Sequence, residues 1–152
     1  VIIRDARRDD IPDIVAMLAD DMLGAARETP AARAGDLDDA YWTAFEQVQA
    51  DPRTRIIVAE TDGRLAGTLQ LTVIPGLSRH GMLRAQIEAV RVAASQRGHG
   101  LGQAMIDWAV HEARAAGCGL VQLTSDKQRP DAIRFYESLG FTATHEGLKL
   151  SL

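Results

Sequence analysis

Gly98, Gly100 and Gly102 follow Arg97 at alternate positions, separated by His99 and Leu101. They lie between a β-branched run, Ile87 to Val92, and an amphipathic run, Leu101 to Ala116. A strand that turns through glycines into a helix leaves the first helical N–H groups without partners. The macrodipole there favours negative charge. Glycine reaches φ > 0 without a Cβ penalty and lets the backbone approach a ligand closely. The chemistry on offer is the binding of a phosphate or pyrophosphate.

Two common phosphate loops do not match. A Walker loop ends in Gly-Lys-Ser/Thr, whereas Gly100-Leu101-Gly102 stands here. A dinucleotide fingerprint needs a third glycine where Gln103 stands and an acidic residue near Cys118 and Gly119. The pattern that fits is Arg/Gln-x-x-Gly-x-Gly/Ala, and Arg97-Gly98-His99-Gly100-Leu101-Gly102 resembles the coenzyme A loop of the GNAT superfamily of N-acetyltransferases. Ile87-Glu88-Ala89-Val90-Arg91-Val92 occupies the place of that family's central strand. Ala132-Ile133-Arg134-Phe135-Tyr136-Glu137-Ser138-Leu139-Gly140-Phe141 is similar to its closing helix and strand, where an aromatic pair precedes Leu-Gly-Phe. The three motifs cover roughly residues 84 to 142, in the family's order. The first 80 residues resemble the family only in the order of their elements.

The resemblance implies acetyl-CoA as co-substrate and a role for each matched residue. Val90, Arg91 and Val92 would hold the pantetheine arm through their backbone, and Arg97 to Leu101 and Gly102 the pyrophosphate, with His99 exposed at the loop tip. Arg129 stands where the family often has an asparagine against the cofactor arm, and could reach cofactor phosphate instead. Glu88 matches a glutamate that small-amine members carry near the acceptor, as a base for the ammonium proton. An ordinary glutamate is too weak a base for an amine of pKa about 10, so this role calls for burial to raise its pKa. The competing assignment is a carboxylate paired with Arg84 or Arg91. By period 2, Glu88, Val90 and Val92 should share one face of their strand. Tyr136 matches the family's tyrosine that protonates the departing thiolate; its alternative is a core aromatic beside Phe135.

The elements that must position these residues follow from periodicity. Ile2-Ile3 begins a strand; Ile11, Ile14, Val15 and Leu18 recur at helical spacing; residues 24 to 35 read as a mobile connector. A second helix carries Tyr41, Trp42, Phe45 and Val48. Strands Arg55 to Glu60 and Leu65 to Ile74 flank the hairpin signal Asp62-Gly63. A strand over 84–93, a helix from Leu101 stopped by Gly117, a strand Gly119 to Thr124 and a helix Pro130 to Leu139 come next. Phe141 to Leu150 should close the chain as one or two strands. This order predicts an α+β fold, a GNAT-like mixed, mostly antiparallel sheet with helices on both faces, as one domain over residues 1–152.

Composition narrows the partners. A net charge of −4 with 5% aromatic residues argues against nucleic acid, which calls for Lys, Arg and stacking rings. No apolar run approaches the ~20 residues of a membrane span. Cys118 is the only cysteine, which excludes an internal disulfide and favours a reducing, cytoplasmic setting. No His, Cys, Asp or Glu cluster has metal-ligand spacing, so no metal is expected; His111-Glu112 lacks a zinc helix's second histidine. The chain opens at Val1 rather than Met, so residues before it could be missing from this sequence.

The expected activity is acetyl transfer from acetyl-CoA to a primary amine of a small molecule, by direct attack in a ternary complex. Arg79, His80 and Arg84 precede the Glu88 strand, and Tyr41 and Trp42 come from a segment that often roofs the acceptor pocket in the family. Basic groups beside an aromatic wall suit an amine that also carries an anion. A protein Nα- or lysine acetyltransferase, and a non-catalytic acyl-CoA sensor, are the alternatives. Homodimers are common in the family, which leaves oligomeric state open.

Overall fold

A computed structural model describes residues 1–31 and 33–152. Five strands form one sheet in the order β1-β2-β3-β4-β5: β1 (Ile2–Asp5), β2 (Thr54–Thr61), β3 (Arg64–Ile74), β4 (Arg84–Val92) and β5 (Leu120–Leu123). The β1/β2, β2/β3 and β3/β4 pairs are antiparallel. The helices are α1 (Ile11–Ala19), α2 (Met22–Ala25), α3 (Asp39–Ala50), a distorted turn α4 (Ser78–Gly81), α5 (Leu101–Ala115) and α6 (Pro130–Ser138). Two compact units are distinguished, Val1–Gln122 and Leu123–Leu152.

The β2–β3 hairpin forms because Asp62 and Gly63 both take positive φ (53° and 72°), the twist that a two-residue turn needs. Strand alternation then sorts the core into two layers. Val58 clusters with Ile11, Ile14 and Val15 of α1 and Phe45 of α3. On the opposite face Ile57 and Ala59 pair across to Leu69 and Gly67. A Cβ on Gly67 would sit 2.5 Å from the Met105 sulfur of α5, so that glycine sets how closely α5 lies on the sheet. Helices therefore cover both faces, as the periodicity predicts, and Ile57, Met105 and Ile87 are fully buried between sheet and α5.

One expectation is corrected, and one glycine plays a part that its type does not reveal. Gly24 is buried in α2, and a Cβ there would lie 1.9 Å from the Leu18 carbonyl oxygen. It is a packing glycine, which looks like a linker glycine in sequence. Residues 141–152 form no strand: none of the backbone groups of 142–152 is hydrogen-bonded among the described residues, and every one of those residues is exposed. Alternation of apolar residues there has no ladder within the chain to act on.

At the β1 end, Arg4 donates to Asp10 (2.7 Å) and also to Glu60, and Arg55 bridges Asp5 (2.8 Å) and Glu112 (2.6 Å). The Arg4 and Arg55 guanidiniums hold the Asp10 and Asp5 carboxyls below the usual carboxylate value. Depressed carboxyl pKa values give stability that is full above the unfolded value of about 3.9 and is lost as pH falls through the folded values. The urea midpoint should therefore fall as pH drops below about 4, with a smaller fall in Asp10→Asn. An equal drop in that variant would assign the acid sensitivity to other carboxylates.

Candidate active site on β4 and the glycine loop

β4 carries the first half of the site, and its pairing with β3 is interrupted. Glu88 faces Gln70 and Arg91 faces Thr68, so Ala89 and Val90 oppose Leu69 alone. This is a β-bulge, and Ala89 adopts φ 53°, a left-handed conformation uncommon outside glycine. The bulge resets the alternation. Arg84, Gln86, Glu88 and Arg91 share one face, while Ala85 and Ile87 are buried on the other and Val92 pairs with Gly67 on that second side. The expectation that Glu88 and Val92 share a face is corrected, because period 2 counts no extra residue. A bulge also removes backbone groups from the ladder, which frees the end of β4 to hold an extended ligand.

On the polar face Arg84 donates to Gln122 of β5 (3.2 Å), and Gln122 donates to Gln86 (2.9 Å). This side-chain chain ends two residues before Glu88. Glu88 itself is exposed, so the burial that a base role called for is absent. Arg84 and Arg91 are engaged elsewhere: Arg91 donates to the Val90 carbonyl (2.9 Å) and lies 3.6 Å from Asp21.

The loop that follows has the geometry its glycines promise. Gly98 and Gly100 take φ 78° and 82°, and a Cβ on either would meet nothing within 4 Å. Conformation, not crowding by the protein, accounts for glycine here, and the space beside the backbone is open to a ligand. Gly100 is the N-cap of α5, no side chain caps the helix, and its first turn holds no acidic residue. The first intrahelical bond runs from Ala104 N to Gly100 O (3.0 Å), which leaves the N–H groups of Leu101, Gly102 and Gln103 without helical partners. Leu101 turns its side chain into the core, so only its backbone can serve a ligand. His99 is exposed. Arg97 donates to the Val92 carbonyl (3.1 Å) and pairs with Asp20 (3.0 Å), both partners about half exposed.

Asp20 and Asp21, between α1 and α2, were not singled out by the sequence, yet they meet Arg97 at the start of this loop and Arg91 near the end of β4. Gln86 and Gln122 were missed as well. Residues that meet only across separate elements leave no local spacing to read.

The unit Leu123–Leu152 holds Tyr136 and Arg129. The Tyr136 ring is half-buried, 5.2 Å from the Phe135 ring and 5.9 Å from the Phe141 ring, centroid to centroid. Its carbonyl accepts from Leu139 N (3.0 Å) and Phe141 N (3.1 Å), and Gly140 at φ 93° permits that turn. Arg129 is the N-cap residue of α6 and is half-buried.

The residues expected to meet the acceptor are dispersed. Tyr41 hydroxyl donates to Glu28 (2.7 Å) and accepts from Thr29 N (2.9 Å). Trp42 lies beneath the Arg8 guanidinium, 4.3 Å from its carbon, and lines an open hollow of about 350 Å³ together with Arg8, Asp9 and Leu37. Their partners are thus at residues 8, 28 and 29 rather than on β4. Arg79 and His80 are exposed in α4, both left-handed (φ 56° and 58°). Burial pushes the Cys118 thiol up, away from nucleophilic use. Among the described residues no three His, Cys, Asp or Glu side chains converge on a metal position, and no helix is long and apolar enough to cross a membrane.

Comparison with known proteins identifies the family. A glucosamine 6-phosphate N-acetyltransferase of Trypanosoma brucei brucei is 35% identical over 65% of this chain and 65% of its own length. The chain thus spans just under two thirds of that relative. An aminoalkylphosphonate N-acetyltransferase of Salmonella typhimurium is 30% identical over 70% of this chain and 68% of its own. The crystal structure of a transcriptional regulator from Bacillus halodurans C-125 superposes with a TM-score of 0.95 at 45% identity, over 100% of this chain and 99% of that one. The profile of the acetyltransferase (GNAT) family matches residues 18–141, from the end of α1 past the turn after α6, and the chain belongs to that family.

Proposed function

We propose that the protein moves the acetyl group of acetyl-CoA to the primary amine of a small molecule that also bears an anionic group, by direct attack in a ternary complex. The observation that carries this reading is the glycine loop: left-handed Gly98 and Gly100, with open space beside them, at an α5 N-terminus free of acidic residues. Such a terminus favours a pyrophosphate. The Arg97–Asp20 pair is exposed and therefore weak, on the order of 0–1 kcal/mol, so Arg97 can exchange Asp20 for a phosphate oxygen. The bulged end of β4 supplies backbone groups of Val90, Arg91 and Val92 for the pantetheine arm, and Arg129 is a further candidate for the cofactor arm.

Acetyl-CoA, when bound, supplies an activated acyl carbon and a thiol leaving group. Glu88, exposed rather than buried, acts as a relay: it hydrogen-bonds the water that carries the ammonium proton to solvent, the nitrogen's second proton leaves the same way, and the new C–N bond forms as the C–S bond breaks. Tyr136 returns a proton to the departing sulfur. Arg84, held by Gln122, lies on the face of Glu88 and offers a guanidinium to an acceptor's anion. Two relatives named above act on amines that carry a phosphorus oxyanion, which supports the same acceptor chemistry here. Arg79 and His80 add positive charge to the segment before β4.

An acceptor panel read by free-thiol release tests this. Amines with a phosphate, phosphonate or carboxylate should react faster than neutral amines of equal size, and Glu88→Gln should slow the reaction most at low pH, where removing the ammonium proton is hardest. Preference for polycationic acceptors would contradict the acceptor assignment, and an unchanged pH profile would reject Glu88 as the relay. A peptide-only response would identify a protein acetyltransferase. The second reading, a non-catalytic acyl-CoA sensor, is favoured by the name of the 45% identical Bacillus halodurans protein. It predicts acetyl-CoA binding with no thiol release for any amine.

A further inference from the structure

Three side chains on the face of Glu88 are joined in one direction. A guanidinium only donates, so the Gln122 atom that meets Arg84 at 3.2 Å is the amide oxygen. The other end of the same amide is then the NH2, and it donates to the Gln86 oxygen at 2.9 Å. Gln86 is thereby turned with its own NH2 at the far end of the series. A series that begins at a cation and passes through two amides in this way ends on a donor.

That terminal NH2 has no hydrogen-bond partner among the described residues and is not sealed from solvent. Arg84 has charge to spare as well. Half-buried Arg4, Arg55 and Arg91 lie against the carboxylates of Asp10, Asp5 and Asp21. Half-buried Arg84 meets a neutral amide and no carboxylate among the described residues. Arg84, Gln86 and Glu88 stand at alternate positions on one face of β4, about 6.7 Å apart per step. The face therefore runs from a positive charge and open donors to a carboxylate. A short molecule with an anion at one end and an ammonium at the other matches that order.

We propose that Gln86 is a second ligand for the acceptor's anion, and that Gln122 determines specificity by holding Arg84 and turning the Gln86 NH2 toward that anion. The proposal rests on the acceptor chemistry proposed for Arg84 and Glu88 and extends it to these two glutamines. Gln122 is a positioning residue, since it acts on the anion only through its neighbours. Its amide makes the array selective. In Gln122→Glu the shape is kept, but the new carboxylate accepts at both ends. Gln86 must then rotate to donate to it and shows its oxygen to the acceptor, while the charge of Arg84 is compensated. Exchanging one NH2 for an oxygen thus converts a surface that attracts an anion into one that repels it.

The test compares aminoethylphosphonate with neohexylamine, which carries a tert-butyl group in place of the phosphonate on the same two-carbon amine. Selectivity is the ratio of their kcat/KM values, read by thiol release at saturating acetyl-CoA. Both amines are measured on one preparation, so the fraction of folded protein cancels. The wild type should favour the phosphonate. Gln122→Glu should lower the ratio at least about 20-fold and Gln86→Met at least about fivefold, with the change in KM for the phosphonate rather than in kcat. If the three side chains only staple β4 to β5, both amines change alike and the ratio stays. A wild-type preference that either variant retains overturns this inference and leaves the acceptor chemistry standing. A wild type without preference, or without turnover of either amine, overturns the acceptor chemistry and this inference with it.

Discussion

Tyr136→Phe should lower turnover about 100-fold, equivalent to ~2.7 kcal/mol in the barrier, with little change in acetyl-CoA affinity. The substitution leaves the ring between Phe135 and Phe141 in place, at the centroid distances of 5.2 and 5.9 Å that pack this part of α6. The backbone bonds from Leu139 and Phe141 to the Tyr136 carbonyl are untouched as well. Only the hydroxyl is lost, so melting should shift by no more than one hydrogen bond is worth, about 1 kcal/mol. A coenzyme A thiolate that leaves without a proton donor must wait for water, and the loss should therefore appear in kcat rather than in the Michaelis constant for acetyl-CoA. Pre-steady-state measurement of thiol release separates chemistry from product release. Unchanged chemistry in that assay would return Tyr136 to a packing role.

Gly100→Val should weaken acetyl-CoA binding at least about tenfold, or ~1.4 kcal/mol. Two effects combine. Valine at φ 82° is strained, and its branches fill the space beside the α5 N-terminus that the protein leaves open. Strain alone would also destabilise the fold, so a matched control is needed. Gly117, just past the other end of α5, has the same φ of 82° and nothing within 4 Å of its Cβ position. Gly117→Val should lose a similar amount of thermal stability while binding acetyl-CoA as the wild type does, by isothermal titration calorimetry. Equal affinity losses in both variants would mean that the loop acts only through stability.

What the sequence disclosed, and what it did not, follows from how local each signal is. The glycine loop, the Asp62-Gly63 hairpin and helices α1, α3, α5 and α6 depend on residues a few positions apart, and all lie close to where their patterns put them. The bulge at Ala89 was invisible because alanine gives no hint of positive φ, and it alone turned the inferred face of Val92. Gly24 read as a linker residue because its constraint is the Leu18 carbonyl, a contact made by the turn of the chain. Asp20, Asp21, Gln86 and Gln122 reach the site only through pairs across separate elements. Tyr41 and Trp42 have side-chain partners that no local spacing indicates. Glu28 and Thr29 meet the Tyr41 hydroxyl, and Arg8 stacks over the Trp42 ring. The apolar alternation after Phe141 predicts a strand, but alternation alone supplies no ladder, and residues 142–152 make no backbone hydrogen bonds among the described residues.

The most direct test of acetyl transfer combines two readouts on the wild-type protein with acetyl-CoA and an amine bearing a phosphonate. Free thiol is followed by its reaction with a chromogenic disulfide, and the acceptor's mass is followed in the same samples. One thiol should be released for each acceptor that gains an acetyl group, with release abolished when the amine is omitted. Tight acetyl-CoA binding with no acetylated product from any amine or peptide would contradict it.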